Sequence, residues 1–176
     1  MSTLVTQEAP DFTATAVLPD NTFDAEFKLS ALRGKYVLLF FYPLDFTFVC
    51  PSEIIAFGKK VKDFKAKNCE VVGVSVDSHS THLPWKNTPP DPARIANLQS
   101  PLAAPFTKKI HKEGVVRHAL VNDLPLGRSV DEALRMLDAL QYTEEHGEVC
   151  PANWKEGEEA MTPSAEGVAS YLANNA

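Results

Sequence analysis

The stretch Tyr36-Val37-Leu38-Leu39-Phe40-Phe41-Tyr42-Pro43-Leu44-Asp45-Phe46-Thr47-Phe48-Val49-Cys50-Pro51-Ser52-Glu53 decides the fold. Its first seven residues are a near-continuous run of β-branched, aliphatic and aromatic side chains, the pattern of a strand buried on both faces. Pro43 stops the strand. Pro51 supplies the fixed φ favoured at a helix start, and Ser52 and Glu53 suit a first turn. Ile54, Ile55, Phe57, Val61 and Phe64 then follow at helical spacing. Cys50 is thus delivered to the mouth of a helix, where unpaired N–H groups and the positive end of the dipole favour the thiolate, which is the nucleophile.

A single cysteine is ordinarily a small buried hydrophobe. Cys69 fits that reading, at the entrance to a second apolar strand, Glu70-Val71-Val72-Gly73-Val74-Ser75-Val76. Cys150 lies in Glu148-Val149-Cys150-Pro151, in a polar tail rich in Glu, Gly and Pro, and is the natural disulfide partner. Ligand-like spacing is lacking among the three cysteines, and His79 with His82 make a weak pair, so no metal site and no cofactor are expected.

Helix 51–66 joins two apolar strands, which makes a right-handed βαβ unit and an α/β fold. Before it, Ala9 to Val17 alternates like a strand, Asp20-Asn21-Thr22 is a turn, and Glu26 to Leu29 is the hairpin partner. Prolines at 89, 90, 92, 101 and 105 make the stretch from Thr88 to Pro105 largely irregular. Gly114 to Asp123 reads as a further strand. Ser129-Val130-Asp131-Glu132 opens a helix by a capping box, with Val130, Leu134, Leu137 and Leu140 as its apolar stripe. A short helix is expected near 165–173.

With 176 residues, the chain is one ordinary domain, 1–142, followed by a tail, 143–176, that carries Cys150. The net charge of −6 is spread along the chain and argues against nucleic acid as a partner. An apolar run of membrane-spanning length is lacking, and the N-terminus shows no secretory pattern, so a cytoplasmic protein with no membrane partner is expected. Three cysteines in such a chain point to redox or catalytic use rather than a disulfide scaffold.

The chain closely resembles the typical 2-Cys peroxiredoxins, the alkyl hydroperoxide reductase and thioredoxin peroxidase group. The likeness rests on Phe41-Tyr42-Pro43-Leu44-Asp45-Phe46-Thr47-Phe48-Val49-Cys50-Pro51, on Asp77-Ser78-His79-Ser80-Thr81-His82, on Val121 to Glu132, and on His146-Gly147-Glu148-Val149-Cys150-Pro151. It implies a thioredoxin-like fold, a central mixed sheet flanked by helices, and a homodimer often assembled into a ring of dimers. The implied activity is reduction of hydrogen peroxide and organic hydroperoxides, with electrons from thioredoxin or a flavoprotein disulfide reductase. By the same resemblance Cys50 is the peroxidatic cysteine and Cys150 the resolving one, forming an intersubunit disulfide. Thr47 would hydrogen-bond the thiolate and peroxide, Pro43 would shield the site, and Glu53 and Arg128 match the family's carboxylate and second arginine.

The sequence also departs from the family. Phe106-Thr107-Lys108-Lys109-Ile110, which matches a helix start in relatives, runs straight into Lys112-Glu113-Gly114-Val115-Val116. Roughly twenty residues are missing there, enough for the end of a helix and one strand of average length. The loss would take a core strand and the family's active-site arginine, so either another segment fills the gap or the fold changes. Ala93 to Leu98 replaces the family's Gly-Gly-Leu-Gly loop, Tyr171-Leu172 replaces its Tyr-Phe pair, and Arg94 reads as a solvent-facing loop residue. A second reading is a catalytically weakened relative acting as an assembly or holdase-like binding protein.

Overall fold

The computed structural model describes residues 4–87, 102–103, 109–110 and 112–175. Among these, seven strands form one mixed sheet: β1 (Thr13–Val17), β2 (Phe23–Lys28), β3 (Tyr36–Phe41), β4 (Cys69–Val74), β5 (Leu102–Ala103), β6 (Lys109–Ile110) and β7 (Val116–His118). Their order across the sheet is β2-β1-β5-β4-β3-β6-β7. The helices are α1 (Cys50–Ala66), α2 (His79–Asn87), α3 (Val130–His146) and α4 (Ala165–Asn175). By contacts the chain divides into two compact units, Met1–Arg128 and Ser129–Ala176, so that α3 falls with the tail.

In the first unit, β3 and β4 run parallel in full register from Tyr36 opposite Cys69 to Phe41 opposite Val74, with α1 as their crossover. Both faces of the pair are covered, which is why the run from Val37 to Phe40 is apolar at every position. Val37 and Leu39 join Val72, Val74, Ala16, Phe27 and Val116 in one buried cluster. On the opposite side Phe40 stacks on Phe57 of α1 at 4.8 Å, and Ile54, Val61 and Phe64 are buried with it. The hairpin turn between β1 and β2 forms as expected. Asn21 takes the left-handed conformation at φ 70°, and the Thr22 hydroxyl and amide both donate to Asp20 Oδ1.

The gap left by the missing residues is filled in part. Lys109–Ile110, expected to match a helix start, is instead strand β6, and it sits between β3 and β7. Ile110 lies opposite Val37 on one side and Val116 on the other. Among the described residues this is one register position against the six residues of β3. Tyr42 N–H bonds to Val74 O on the β4 side, so Phe41, one residue earlier, turns its carbonyl to the side away from β4. That carbonyl accepts from Arg128 Nη2 at 2.8 Å, and an arginine side chain supplies the bond that a ladder would otherwise give.

Elements came out shorter or shifted by a residue in several places. Cys50, not Pro51, is the first residue of α1, and Tyr42 lies outside β3. The strand expected over 114–123 narrows to Val116–His118, and β5 occupies two residues of the stretch expected to be irregular. Arg94 and the replaced loop at 93–98 lie outside the described residues. In the second unit Ser129 caps α3 by accepting from the Glu132 amide at 3.2 Å, and the Glu132 carboxylate pairs with Arg135. The buried stripe is Val130, Ala133, Leu137 and Ala139, turned slightly from the leucine pattern.

One buried cation carries a pH consequence. Lys86, at the end of α2, is 5% exposed and donates to the carbonyls of Leu18 and Pro19, each at 2.7 Å. Burial pulls its ammonium below the ordinary lysine value of 10.5, with Asp20 opposing. The folded chain therefore sheds this proton before the unfolded chain does, and the site's contribution to stability rises with pH until the unfolded lysine titrates. Thermal unfolding of wild type and Lys86→Met between about pH 8 and about pH 10 should show the midpoint difference moving in favour of the wild type as pH rises. A constant difference across that range would contradict the assignment.

Candidate functional site

A cleft of about 150 Å³ opens at the C-terminal end of β3, where an α/β sheet presents its ligands. Phe41, Tyr42 and Pro43 from the strand end, Val49, Cys50 and Glu53 from the start of α1, and the segment from Leu120 to Arg128 line it. Four of the six expected residues thus meet in one place: Pro43, Cys50, Glu53 and Arg128. The thiol is nearly closed off, with Cys50 8% exposed. Ser52 and Glu53 turn their amides onto Val49 O, and Pro51 has no N–H. Cys50 N–H is left as the first-turn donor with no partner among the described residues, beside its own side chain.

Arg128 fixes the geometry. Its Nε and Nη2 donate to Glu53 Oε1 and Oε2 at 2.8 and 2.7 Å, and its backbone amide donates to Oε1 at 2.7 Å. This is a two-point fork with both partners largely buried, to which the bond to Phe41 O adds a third anchor. One side chain therefore ties the first turn of α1 to the end of β3, with the guanidinium 5.9 Å from the Phe40 ring centre.

Thr47 is elsewhere. It does not line the cleft, and its hydroxyl donates to Leu44 O at 2.9 Å across a turn in which Phe46 holds φ 56°. The loop from Pro43 to Val49 is pinned from below by residues that no local pattern links. The Asp45 carboxylate accepts from Tyr42 Oη at 3.0 Å and His82 Nδ1 at 2.6 Å, and the Asp45 amide donates to Asp77 Oδ2. Burial, with the Asp45 charge beside it, holds the Tyr42 phenol well above its usual range, so it remains the donor. Sequence separations of 32 and 37 residues give such a network no local signature.

Cys150 belongs to the second unit. It is half-buried, with Ala139 O at 3.6 Å and the Thr143 hydroxyl at 3.7 Å from its sulfur. The tail around it is held by Tyr142 Oη donating to Glu148 Oε2, by Arg135 donating to Trp154 O, and by the paired amides and carbonyls of Val149 and Met161. Cys69 lies buried in β4, as expected of an inert thiol.

Residues 5–121 match the family model described as AhpC/TSA family, and residues 139–174 match the C-terminal domain of 1-Cys peroxiredoxin. The chain is 50% identical to the alkyl hydroperoxide reductase C of Helicobacter pylori (strain J99) over 193 residues, covering 98% of each protein. The chain belongs to the AhpC/TSA family. As a peroxiredoxin it is a peroxidase. Peroxiredoxin-2 of Mus musculus is 50% identical over 190 residues, covering 96% of this peroxiredoxin and 95% of the relative. Reduced 2-Cys peroxiredoxin of Plasmodium vivax shares 48% identity, with a TM-score of 0.93 over 98% of this chain and 100% of that one. The 193 residues of the Helicobacter comparison against the 176 of this chain leave at least 17 positions (193 less 176) without a counterpart here, in keeping with the internal loss read from the sequence.

The Glu53–Arg128 pair makes a direct stability prediction. Removing one partner of a buried ion pair strands the other charge and costs about 3–5 kcal/mol. Urea unfolding of Glu53→Ala at neutral pH should show a loss of that order. A loss below about 1 kcal/mol, the range of exposed pairs, would mean that the fork is not an anchor.

Proposed function

We propose that this peroxiredoxin reduces hydrogen peroxide and organic hydroperoxides through Cys50, and that Cys150 of a second copy resolves the product. The observation that carries the reading is the placement of Cys50, 8% exposed, at the first residue of α1 in a cleft it shares with Pro43 and Arg128. The Cys50 thiolate attacks one peroxide oxygen, the O–O bond breaks, an S–O bond forms, and the alkoxide leaves to take up a proton. The sulfur loses two electrons and becomes a sulfenic acid. The Cys150 thiolate of the other copy then attacks that sulfur, expelling the oxygen as water and leaving an intersubunit disulfide. A dithiol reductant returns the two electrons, and thioredoxin or a flavoprotein disulfide reductase fits that chemistry. Pro43, at the cleft wall, limits water, and Thr47 takes its expected place at the thiolate if the loop turns its hydroxyl inward.

In this account the chain works as a homodimer or a ring of dimers, in the cytoplasm. The positions that this chain lacks against the Helicobacter pylori relative support a second reading, a catalytically weakened peroxiredoxin relative acting as an assembly or holdase-like binding protein. Turnover separates the two.

Peroxide reduction followed with a thioredoxin system should be abolished by Cys50→Ser and nearly retained by Cys69→Ser, because Cys69 is buried within β4. Equal loss in both variants would remove Cys50 from its role, and negligible turnover in the wild type would favour the holdase reading. After peroxide treatment, a dimer band on non-reducing gels should vanish in Cys150→Ser, and its persistence would overturn the resolving assignment.

A further inference from the structure

Cys150 must ionise before it can attack a sulfenic acid, since the thiolate is the nucleophile. Its surroundings differ from those of Cys50. Cys50 opens a helix, whereas Cys150 lies against the C-terminal part of one: Gly147, at φ 71°, ends α3 and turns the chain back, and the pairing of Val149 with Met161 holds the returning segment. The negative end of a helix dipole disfavours an anion. Ala139 O stands 3.6 Å from the sulfur, where it accepts from the thiol and repels the thiolate. The polar neighbours able to offset this are engaged elsewhere. Arg135 forks onto Glu132 at 2.7 Å and donates to Trp154 O at 2.9 Å, and Tyr142 Oη donates to Glu148 Oε2 at 2.7 Å. Glu132 first, and a charge on Cys150 after it, hold the Arg135 guanidinium above its usual range, and Glu148 leads with Cys150 following for the Tyr142 phenol. Both groups therefore lie within electrostatic reach of the sulfur, while these hydrogen bonds go to other acceptors.

Thr143 is placed differently. One turn beyond Ala139 on α3, its hydroxyl donates to Ala139 O at 2.8 Å and lies 3.7 Å from Cys150 Sγ, so that carbonyl, hydroxyl and sulfur form a triangle. Rotation about the Cβ–Oγ1 bond swings the hydroxyl proton from the carbonyl to the sulfur with no heavy atom displaced. We propose that Thr143 is the hydrogen-bond donor to the Cys150 thiolate, turning its proton from Ala139 O to the sulfur as the thiol ionises and so promoting resolution. The thiol proton leaves to water. The thiolate pair then forms the S–S bond, and the sulfenic oxygen departs as hydroxide and takes up a proton, so one water is released. The inference rests on the resolving role of Cys150 and adds the group that makes its thiolate available. A hydrogen bond to an ionised group shifts such an equilibrium about tenfold, and the lower nucleophilicity of a stabilised thiolate returns about half of that logarithm, leaving a gain of about 3-fold at neutral pH.

The test places Thr143→Val, which keeps the shape and removes the hydroxyl, and Thr143→Ser, which keeps the hydroxyl, in the full chain carrying Cys50→Ser and Cys69→Ser. Alkylation of the remaining thiol, Cys150, by iodoacetamide is then followed from about pH 6 to about pH 10, a range that spans the ordinary thiol value of about 8.5. Thr143→Val should react about 3-fold more slowly than the parent at pH 7, the deficit should close towards about pH 10, where the sulfur ionises without help, and Thr143→Ser should restore the parental profile. Equal rates at pH 7, a deficit that persists unchanged at about pH 10, or a deficit that serine does not rescue would each overturn the hydrogen bond in favour of packing or access. With the native cysteines restored, Thr143→Val should slow disulfide formation after a peroxide pulse by a similar factor. An alkylation profile as expected in a chain whose wild type forms no disulfide would instead sink the resolving role of Cys150 on which the inference rests.

Discussion

The fork between Arg128 and Glu53 is the interaction on which the site depends. It reaches across 75 residues of sequence to join the first turn of α1, the end of β3 and the wall of the cleft. A carboxylate in the same first turn as Cys50 would oppose a thiolate there if it stood alone. Paired in two-point geometry, it becomes the means of holding a guanidinium in the same cleft as Cys50. The same cation finishes the hydrogen bonding of β3 at Phe41, so local chemistry and sheet integrity share one side chain.

That sharing matters because, among the described residues, β6 meets β3 at one register position. The Helicobacter pylori relative carries positions that this chain lacks. The parallel ladder with β4 runs the full length of β3, and the aromatic stack of Phe40 on Phe57 secures the opposite face. The strand that delivers Cys50 is thus held by its full ladder with β4 and by α1, with β6 and Arg128 on its other side.

Much of this was legible in the sequence because it is local. A two-faced apolar run at 36–42 requires a strand covered on both sides, and a proline beside a cysteine ahead of Ile54, Phe57, Val61 and Phe64 requires a helix start. The Ser129 cap was equally readable from spacing. What could not be read was distant or conditional. Lys109–Ile110, read as part of a helix-start pattern, pairs with Val37 and with β7 as a strand, a tertiary pairing that overrides the local pattern. Asp45 was hidden as a loop carboxylate until Tyr42, His82 and Asp77 converged on it.

We propose that Arg128, anchored on Glu53, positions Cys50 for attack on peroxide. The most direct measurement is the second-order rate constant for oxidation of Cys50 by hydrogen peroxide, followed by stopped flow in wild type and Arg128→Lys. Lysine keeps the charge but cannot make the fork, so displacement of the reacting groups should slow oxidation by about 10²-fold while the chain stays folded. A rate equal to that of the wild type in a folded Arg128→Lys variant would show that the clamp does not position the thiol.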